Sequence, residues 1–451
     1  MDLPGLPPLP ELPALPTLPE LHALVPRAVD GGVVAVFGIV YLGMFLGGLP
    51  RLKLDRSGVA VLGAIAMIAL TGMPMEEAAR AVDLPTLVLL FAFMVVSAQM
   101  RLGGFYTAVT RAVGTLPLPR AGLLAVLIAV AGLLSAVFSN DIVCLAMTPV
   151  VARLCLRRSL DPLPFLIGLA CAANIGSAAT LIGNPQNMLI GSVLKLDFAG
   201  YLRVALLPVG LSLALLWAWL AFGPGSRQGA PVRPWPEGVA PDVPALPGPE
   251  AGAADEPPYD PVQTAKGLTV ALLLMAVFLF TDWPRDVAAL VGAGVLLLSR
   301  RLHSAQVMGF VDWQLLLLFI GLFIVNQAFQ HTGLAADAVV ALAARGVHLN
   351  EPGPLLVLGV LLSNLVSNVP AVMLLLPHLD GADAARAGML LALASTFAGN
   401  LLLVGSIANL IVVDLADKAG IPIHWRRHAR TGIPVTLLSL AVLWLSVVPW
   451  R

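Results

Sequence analysis

The chain has 451 residues, 58% of them apolar and 12% charged, with a formal net charge of zero and a mean hydropathy of +0.90. A soluble domain carries about 25% charged residues, so lipid is the solvent for most of this chain. Zero net charge excludes a basic nucleic-acid surface, and Cys144, Cys155 and Cys171 lack the CxxC spacing of a zinc site or a disulfide framework.

Residues 1–30 open the chain as a Pro-rich tail, with eight prolines in the first 26 residues. Proline at this density opposes helix, and no basic segment precedes an apolar core, so a disordered tail is expected and not a signal peptide. Apolar blocks follow near 31–49, 57–72, 84–102, 121–155, 163–194 and 201–222. They form a first membrane repeat over 31–222. Residues 223–264, with eleven prolines, read as a Pro/Gly-rich cytoplasmic linker. A second repeat, 265–451, carries blocks near 265–281, 286–299, 312–330, 354–379, 388–415 and 431–449. The expected fold is an all-α polytopic membrane protein.

A crossing needs about 20 apolar residues. Block 121–155 is longer and holds Ser139-Asn140-Asp141 in its middle, and block 354–379 holds Ser367-Asn368. Both are read as re-entrant hairpins, because only then do Arg153, Arg157 and Arg158 join the other basic clusters on the cytoplasmic side. Each half then has about five transmembrane helices plus one re-entrant hairpin. An odd number of crossings makes the second half an inverted repeat of the first. The sequence carries traces of duplication. Ser139, Asn140 and Pro149 match Ser367, Asn368 and Pro377 at a shift of 228. Gly183, Asn184 and Asn187 match Gly405, Ser406 and Asn409 at a shift of 222, and Asp83 matches Asp312.

Four polar islands lie deep in this apolar sequence: Ser139 to Asp141, Asn174 to Asn187, Ser363 to Asn368, and Ser395 to Asn409, which includes Asn400. Pro185, Gly183, Pro370, Gly399 and Gly405 accompany them. Such residues break helices (about 163–194 and 388–415), and broken backbone at membrane depth is tolerated only where protein buries it or a cavity needs it. Its free N–H and C=O groups can hold an anion and a cation. Close helix packing is the other reading, most applicable to Ser177, Ser363 and Ser395. Asp141 is the only charged residue between Ala121 and Ala152. An ionisable group at that depth is costly and usually functional, which makes it the candidate for proton coupling; the alternative is an N-cap for the returning helix. Asp414 is read as interfacial. Gln99, Asn326 and Gln327 are read as inter-helix hydrogen-bonding residues.

The stretches SNDIVCLAMTPVV (139–151), LIGNPQNMLIG (181–191), SNVPAVMLLLP (367–377) and AGNLLLVGSIANLIVVDLA (398–416) resemble the hairpins and broken helices of the ion-transporter superfamily. Its branches include arsenite permeases, NhaD-type antiporters, and citrate-metal and divalent-anion symporters. The likeness is greatest to the arsenite-permease-like branch. It implies a homodimer in the inner (plasma) membrane, working by an elevator-like alternation. It places substrate and ion sites at Ser139, Asn140, Asn184, Asn187, Ser367, Asn368, Ser406 and Asn409, with a coupling Na+ at Ser139, Asn140 and Asn187. The sodium-dicarboxylate branch has Ser-Asn-Thr at both tips; Asp141 and Val369 here depart from it and favour proton coupling.

The expectation is a secondary transporter for a small inorganic anion or neutral oxyacid, coupled to H+ or Na+, without a cofactor. A sodium/proton antiporter and a passive anion channel are the alternatives. No HExxH, GxSxG or GxxxxGK[ST] motif points to an enzyme or to ATP hydrolysis.

Overall fold

The computed structural model of the chain describes residues 18–49, 52–224 and 258–447, with side chains from residue 29 onward. Most of the expected tail and linker therefore lies outside the described residues. The first helix begins at Leu18, inside the expected tail, and the eleventh at Pro261, inside the expected linker.

Among the described residues, ten helices make up the first half: α1 (Leu18–Leu46), α2 (Arg56–Thr71), α3 (Met75–Ala81), α4 (Leu84–Leu102), α5 (Phe105–Thr115), α6 (Arg120–Val137), α7 (Asn140–Arg157), α8 (Pro162–Ser177), α9 (Pro185–Val193) and α10 (Phe198–Ala221). The second half repeats the order: α11 (Pro261–Phe280), α12 (Arg285–Leu297), α13 (Ser304–Met308), α14 (Trp313–His331), α15 (Leu334–Ala343), α16 (Pro352–Val366), α17 (Asn368–Leu375), α18 (Ala384–Ala398), α19 (Ile407–Lys418) and α20 (Trp425–Val447). Among the described residues, seven helices are long and apolar enough to cross a membrane, and the one β-type pairing is an isolated bridge between Gly48 and Asp55. The short helices α3, α5, α13 and α15 fall between the apolar blocks and had no counterpart in the reading of the sequence.

Many of the chain's few acids start helices. Asp55, Asp83, Asp161, Asp197, Asp260 and Asp312 each accept a backbone N–H in the first turn of α2, α4, α8, α10, α11 and α14. A capping carboxylate satisfies an otherwise orphaned donor and suits the positive end of the helix dipole. The matched pair Asp83 and Asp312 thus has one local cause, repeated in each half.

Both expected hairpins turn back on themselves. Arg158, just past α7, donates to the Leu116 carbonyl at 3.1 Å, so the returning limb ends beside the start of α6. Asn350, ahead of α16, donates to Asp380, beyond α17, at 2.9 Å. The halves interlock reciprocally: α2 lies against α14 and α4 against α12, α7 meets α19 and α9 meets α17, and α10 packs along α20. In lipid such contacts depend on close packing and not on the hydrophobic effect. Gly176 of α8 lies against the backbone of Gly132 in α6, and a Cβ there would collide with the Gly132 carbonyl.

Candidate functional site: the polar centre between the two halves

The two broken helices meet at the centre of the molecule. The first pair is α8 and α9, separated by residues 178–184; the second is α18 and α19, separated by 399–406. Each second segment starts on a side-chain cap. Asn184 Oδ1 accepts the Asn187 N–H at 2.9 Å, and Ser406 Oγ accepts the Ala408 N–H at 3.2 Å.

Asn174, on the last turn of α8, is the hub. Its Oδ1 accepts from Ser406 Oγ at 2.8 Å and from Asn140 Nδ2 at 3.3 Å. Its Nδ2 donates to Asn400 Oδ1 at 2.8 Å and Asn409 Oδ1 at 3.0 Å. One amide thus ties the first hairpin tip to the break of the opposite half. Thr396 of α18 has the equivalent place. Its hydroxyl accepts from Asn184 Nδ2 at 3.3 Å and Gln186 Nε2 at 3.1 Å, and lies 3.4 Å from Asn187 Oδ1. Asn187 Nδ2 donates to the Thr180 carbonyl at 2.9 Å, as Asn409 Nδ2 does to the Leu402 carbonyl at 3.3 Å.

A ring from the helix after each break holds the break carbonyl. The Tyr201 hydroxyl donates to the Ala178 carbonyl at 2.8 Å and accepts from Asn187 Nδ2 at 3.1 Å. In the other half His428 Nε2 lies 3.1 Å from the Asn400 carbonyl. A carbonyl can only accept, so Nε2 carries the proton.

Asn140, Asn184, Asn187, Asn400, Ser406 and Asn409 therefore belong to one bonded network, and all six are buried. Ser139 borders it: with Gly183 and Asn184 it lines a cavity of about 20 Å³, room for a single water-sized guest. Its backbone N–H donates to Ser97 Oγ at 3.2 Å. Asp141 stands in the first turn of α7, whose N-cap position is Ser139, so it is not the cap of the returning limb. It is half-buried, and Asp312 is the charge it feels most.

The second tip differs. Among the described residues, no side-chain hydrogen bond joins Ser367 or Asn368 to the Asn174 hub. Ser367 has φ of 78°, a conformation costly for a residue with a Cβ and concentrated at functional sites. The Oδ1 atoms of Asn368 and of nearby Asn364, and that of Asn140 at the first tip, are buried and accept no hydrogen bond.

Other polar residues fall where close packing places them. Ser395 bonds back to its own helix at Ala392, Asp414 pairs with Lys418 at 2.6 Å on the exposed side of α19, and the three cysteines are buried and free. Gln99 bonds Gln263 of α11 and Asn326 bonds Tyr41 of α1, as inter-helix partners should. Gln327 instead bonds His331 of its own helix. Ser177 is more than a packing residue, since Asn184 Nδ2 donates to it at 3.0 Å. Among the described residues no group of three or more His, Cys, Asp or Glu could hold a metal.

Discontinuous helices that join two like halves around a buried polar centre define a membrane transporter. Residues 44–398 match the family described as citrate transporter. The chain belongs to that family, within the ion-transporter superfamily, and is a multi-pass integral protein of the plasma membrane. It is 30% identical to the silicon efflux transporter LSI3 of rice, Oryza sativa subsp. japonica, over 93% of this chain and 97% of that one. It is 23% identical to the putative transporter arsB of Dictyostelium discoideum over 87% of each chain. In fold it is similar to the YdaH transporter of Alcanivorax borkumensis, described as having an unusual topology. That match has a TM-score of 0.55 at 14% identity and covers 94% of this chain and 98% of the other.

Asn174 opens one of the polar islands read from the sequence, and Gln186 and Thr396 fall within them, but none of the three was assigned to the site; Tyr201 and His428 lie outside the islands. Asn174 and Thr396 are themselves related by the shift of 222, so the repeat carried that signal. Tyr201 and His428 differ in residue type and gave none.

Proposed function

We propose that this chain is a secondary active transporter for a small inorganic oxyacid or anion, coupled to protons or a cation, with the Asn174 and Thr396 networks as the closed form of its substrate site. The two halves are taken as inverted repeats that alternate in elevator fashion, in a homodimer. The observation that carries this reading is that both breaks are bonded to the opposite half by short, neutral side chains. Such bonds hold one arrangement and can be exchanged for bonds to a ligand at little net cost.

The chemistry favours a neutral oxyacid over a dianion. No lysine or arginine belongs to the network, so a bound dianion would have only helix N-termini and amide donors to balance it. The buried oxygens of Asn140, Asn364 and Asn368 have no donor. Hydroxyl protons of a neutral oxyacid or a small cation would satisfy them. The rice relative exports silicon, which in neutral water is an uncharged oxyacid. Asp141 serves as the proton site, and Ser139, Asn140 and Asn187 as an alternative sodium site.

Counterflow in proteoliposomes tests this reading. Internal unlabelled substrate should accelerate saturable entry of external substrate, with silicic acid and arsenite outpacing phosphate, sulfate and citrate. Flux that rises linearly with concentration and shows no counterflow would identify a passive channel instead.

A further inference from the structure

The end of α9 is held at two points outside the Asn174 and Thr396 networks. Arg285, the first residue of α12, donates from Nη2 to the Gly191 carbonyl at 3.0 Å. Ser192 Oγ donates at 2.9 Å to Asp83 Oδ1, the same oxygen that caps α4. Between these two bonds α9 packs against α4.

The second half has the matching positions, with the grip undone. The shift of 229 that pairs Asp83 with Asp312 also pairs Arg56 with Arg285, Ala60 with Ala289 and Gly63 with Gly292. The shift of 222 pairs Gly191 with Val413 and Ser192 with Asp414. Arg56 therefore opens α2 as Arg285 opens α12. Its Nε, however, is buried and has no hydrogen-bond partner among the described residues. Asp312 bonds the Leu315 N–H of its own helix, and Asp414 turns to Lys418. The helix α19 lies against α7 and α8 and, among the described residues, has no comparable contact with α14. A buried donor without a partner costs free energy. The first half shows what satisfies it, a carbonyl on the second segment of a broken helix.

We propose that Arg285 and Asp83 form a latch that holds α9 in the conformation described here, and that Arg56 is the open half of a second latch. The second latch closes on the Val413 carbonyl of α19 in the opposite conformation of the transport cycle. This rests on the alternation of inverted repeats proposed above: opposite orientation puts the latches on opposite membrane faces, so one opens as the other closes. Closure brings Asp414 toward Asp312, and the Arg56 guanidinium beside them offsets the repulsion of the two acids.

Oxidative cross-linking of the full-length protein in proteoliposomes tests this with two cysteine pairs, Asp83→Cys with Ser192→Cys and Asp312→Cys with Asp414→Cys. Wild type, whose three cysteines are buried, is the control. Both pairs should cross-link, and each cross-link should stop flux until it is reduced. Arg285→Gln should speed cross-linking of the second pair about tenfold and Arg56→Gln should slow it about tenfold, as one bond from a charged donor is lost from one conformation. If the second pair fails to fold, maleimide labelling of Ser192→Cys alone carries the comparison, with the same two shifts. Cross-linking reads the two conformations without substrate, so it can fail while wild-type counterflow succeeds. A cross-linked first pair that still transports, a folded second pair that never cross-links, or rates that neither arginine variant moves would overturn the proposal.

Discussion

In the first half Asn184 donates to Thr396 across the molecule, and the single Thr396 proton goes to the Ala392 carbonyl at 2.7 Å; in the second Ser406 donates to Asn174 and Asn409 accepts from it. The two breaks are alike in one bond, the donation of the capping side chain, Asn184 or Ser406, to the opposite half. The two hairpin tips are not. The first carries Asp141 and joins the hub through Asn140; the second carries Val369, holds Ser367 at a positive φ, and leaves two asparagine oxygens without donors. A capping side chain that donates across the molecule serves both breaks. The tips differ, and the coupled cycle proposed above, which moves two different species, needs such an asymmetry. Likeness marks where the halves hold each other; on the proposed function, its loss marks where substrate and coupling ion are told apart.

The sharpest way to break this comparison is at the hub. Asn174→Ala removes four side-chain bonds and leaves Asn140, Asn400, Ser406 and Asn409 short of partners. Each lost buried bond costs about 1 kcal/mol or more. Flux should fall by more than tenfold and the melting temperature should drop. Thr396→Val tests the other side of the symmetry and should be milder, since one hydroxyl is lost and not a whole amide. Equal effects would mean that the two hubs are interchangeable.

Next in size is Gly176→Ala. A methyl group directed at the Gly132 carbonyl should cost about 1–3 kcal/mol by overpacking, read as a lowered melting temperature. The substrate concentration for half-maximal flux should rise as well, because the turn that must shift carries Asn174 and Ser177. Tyr201→Phe follows. The Ala178 carbonyl and Asn187 each lose a partner, worth about 1–2 kcal/mol together. His428→Gln keeps an N–H for the Asn400 carbonyl and should be nearly neutral, whereas His428→Leu should match Tyr201→Phe. The smallest effect belongs to Asp414→Asn. Its pair with Lys418 is exposed, and losing it should change stability by less than about 1 kcal/mol and flux not at all.

The fold was legible where physics acts locally. Long apolar runs marked the spans, arginines marked the hairpins, and glycine, proline and asparagine marked the breaks. The helices α3, α5, α13 and α15 were missed because none is a long apolar run; the longest, α5, has 11 residues. The site was legible as a set of islands and not as a network. Asn184 and Ser406 announce themselves by following a glycine, and Asn187 and Asn409 by standing three residues further on in each half. Asn174 and Thr396 precede the breaks inside regular helix, and what gives them their role is a partner more than 200 residues away. His428 shows the limit most plainly. Within its own segment it is one more basic residue near a helix end, and only the close approach of α20 at Gly432 to the Asn400 carbonyl makes it part of the centre.

Asp141 is where the asymmetry of the tips meets function, and proton-driven accumulation of silicic acid in proteoliposomes tests it most directly, with wild type and Asp141→Asn compared under the same imposed pH gradient. Wild type should concentrate substrate against its gradient, while Asp141→Asn should retain counterflow exchange and lose that accumulation. A variant that accumulates substrate as wild type does would contradict the assignment and leave coupling to the asparagine oxygens of the two tips.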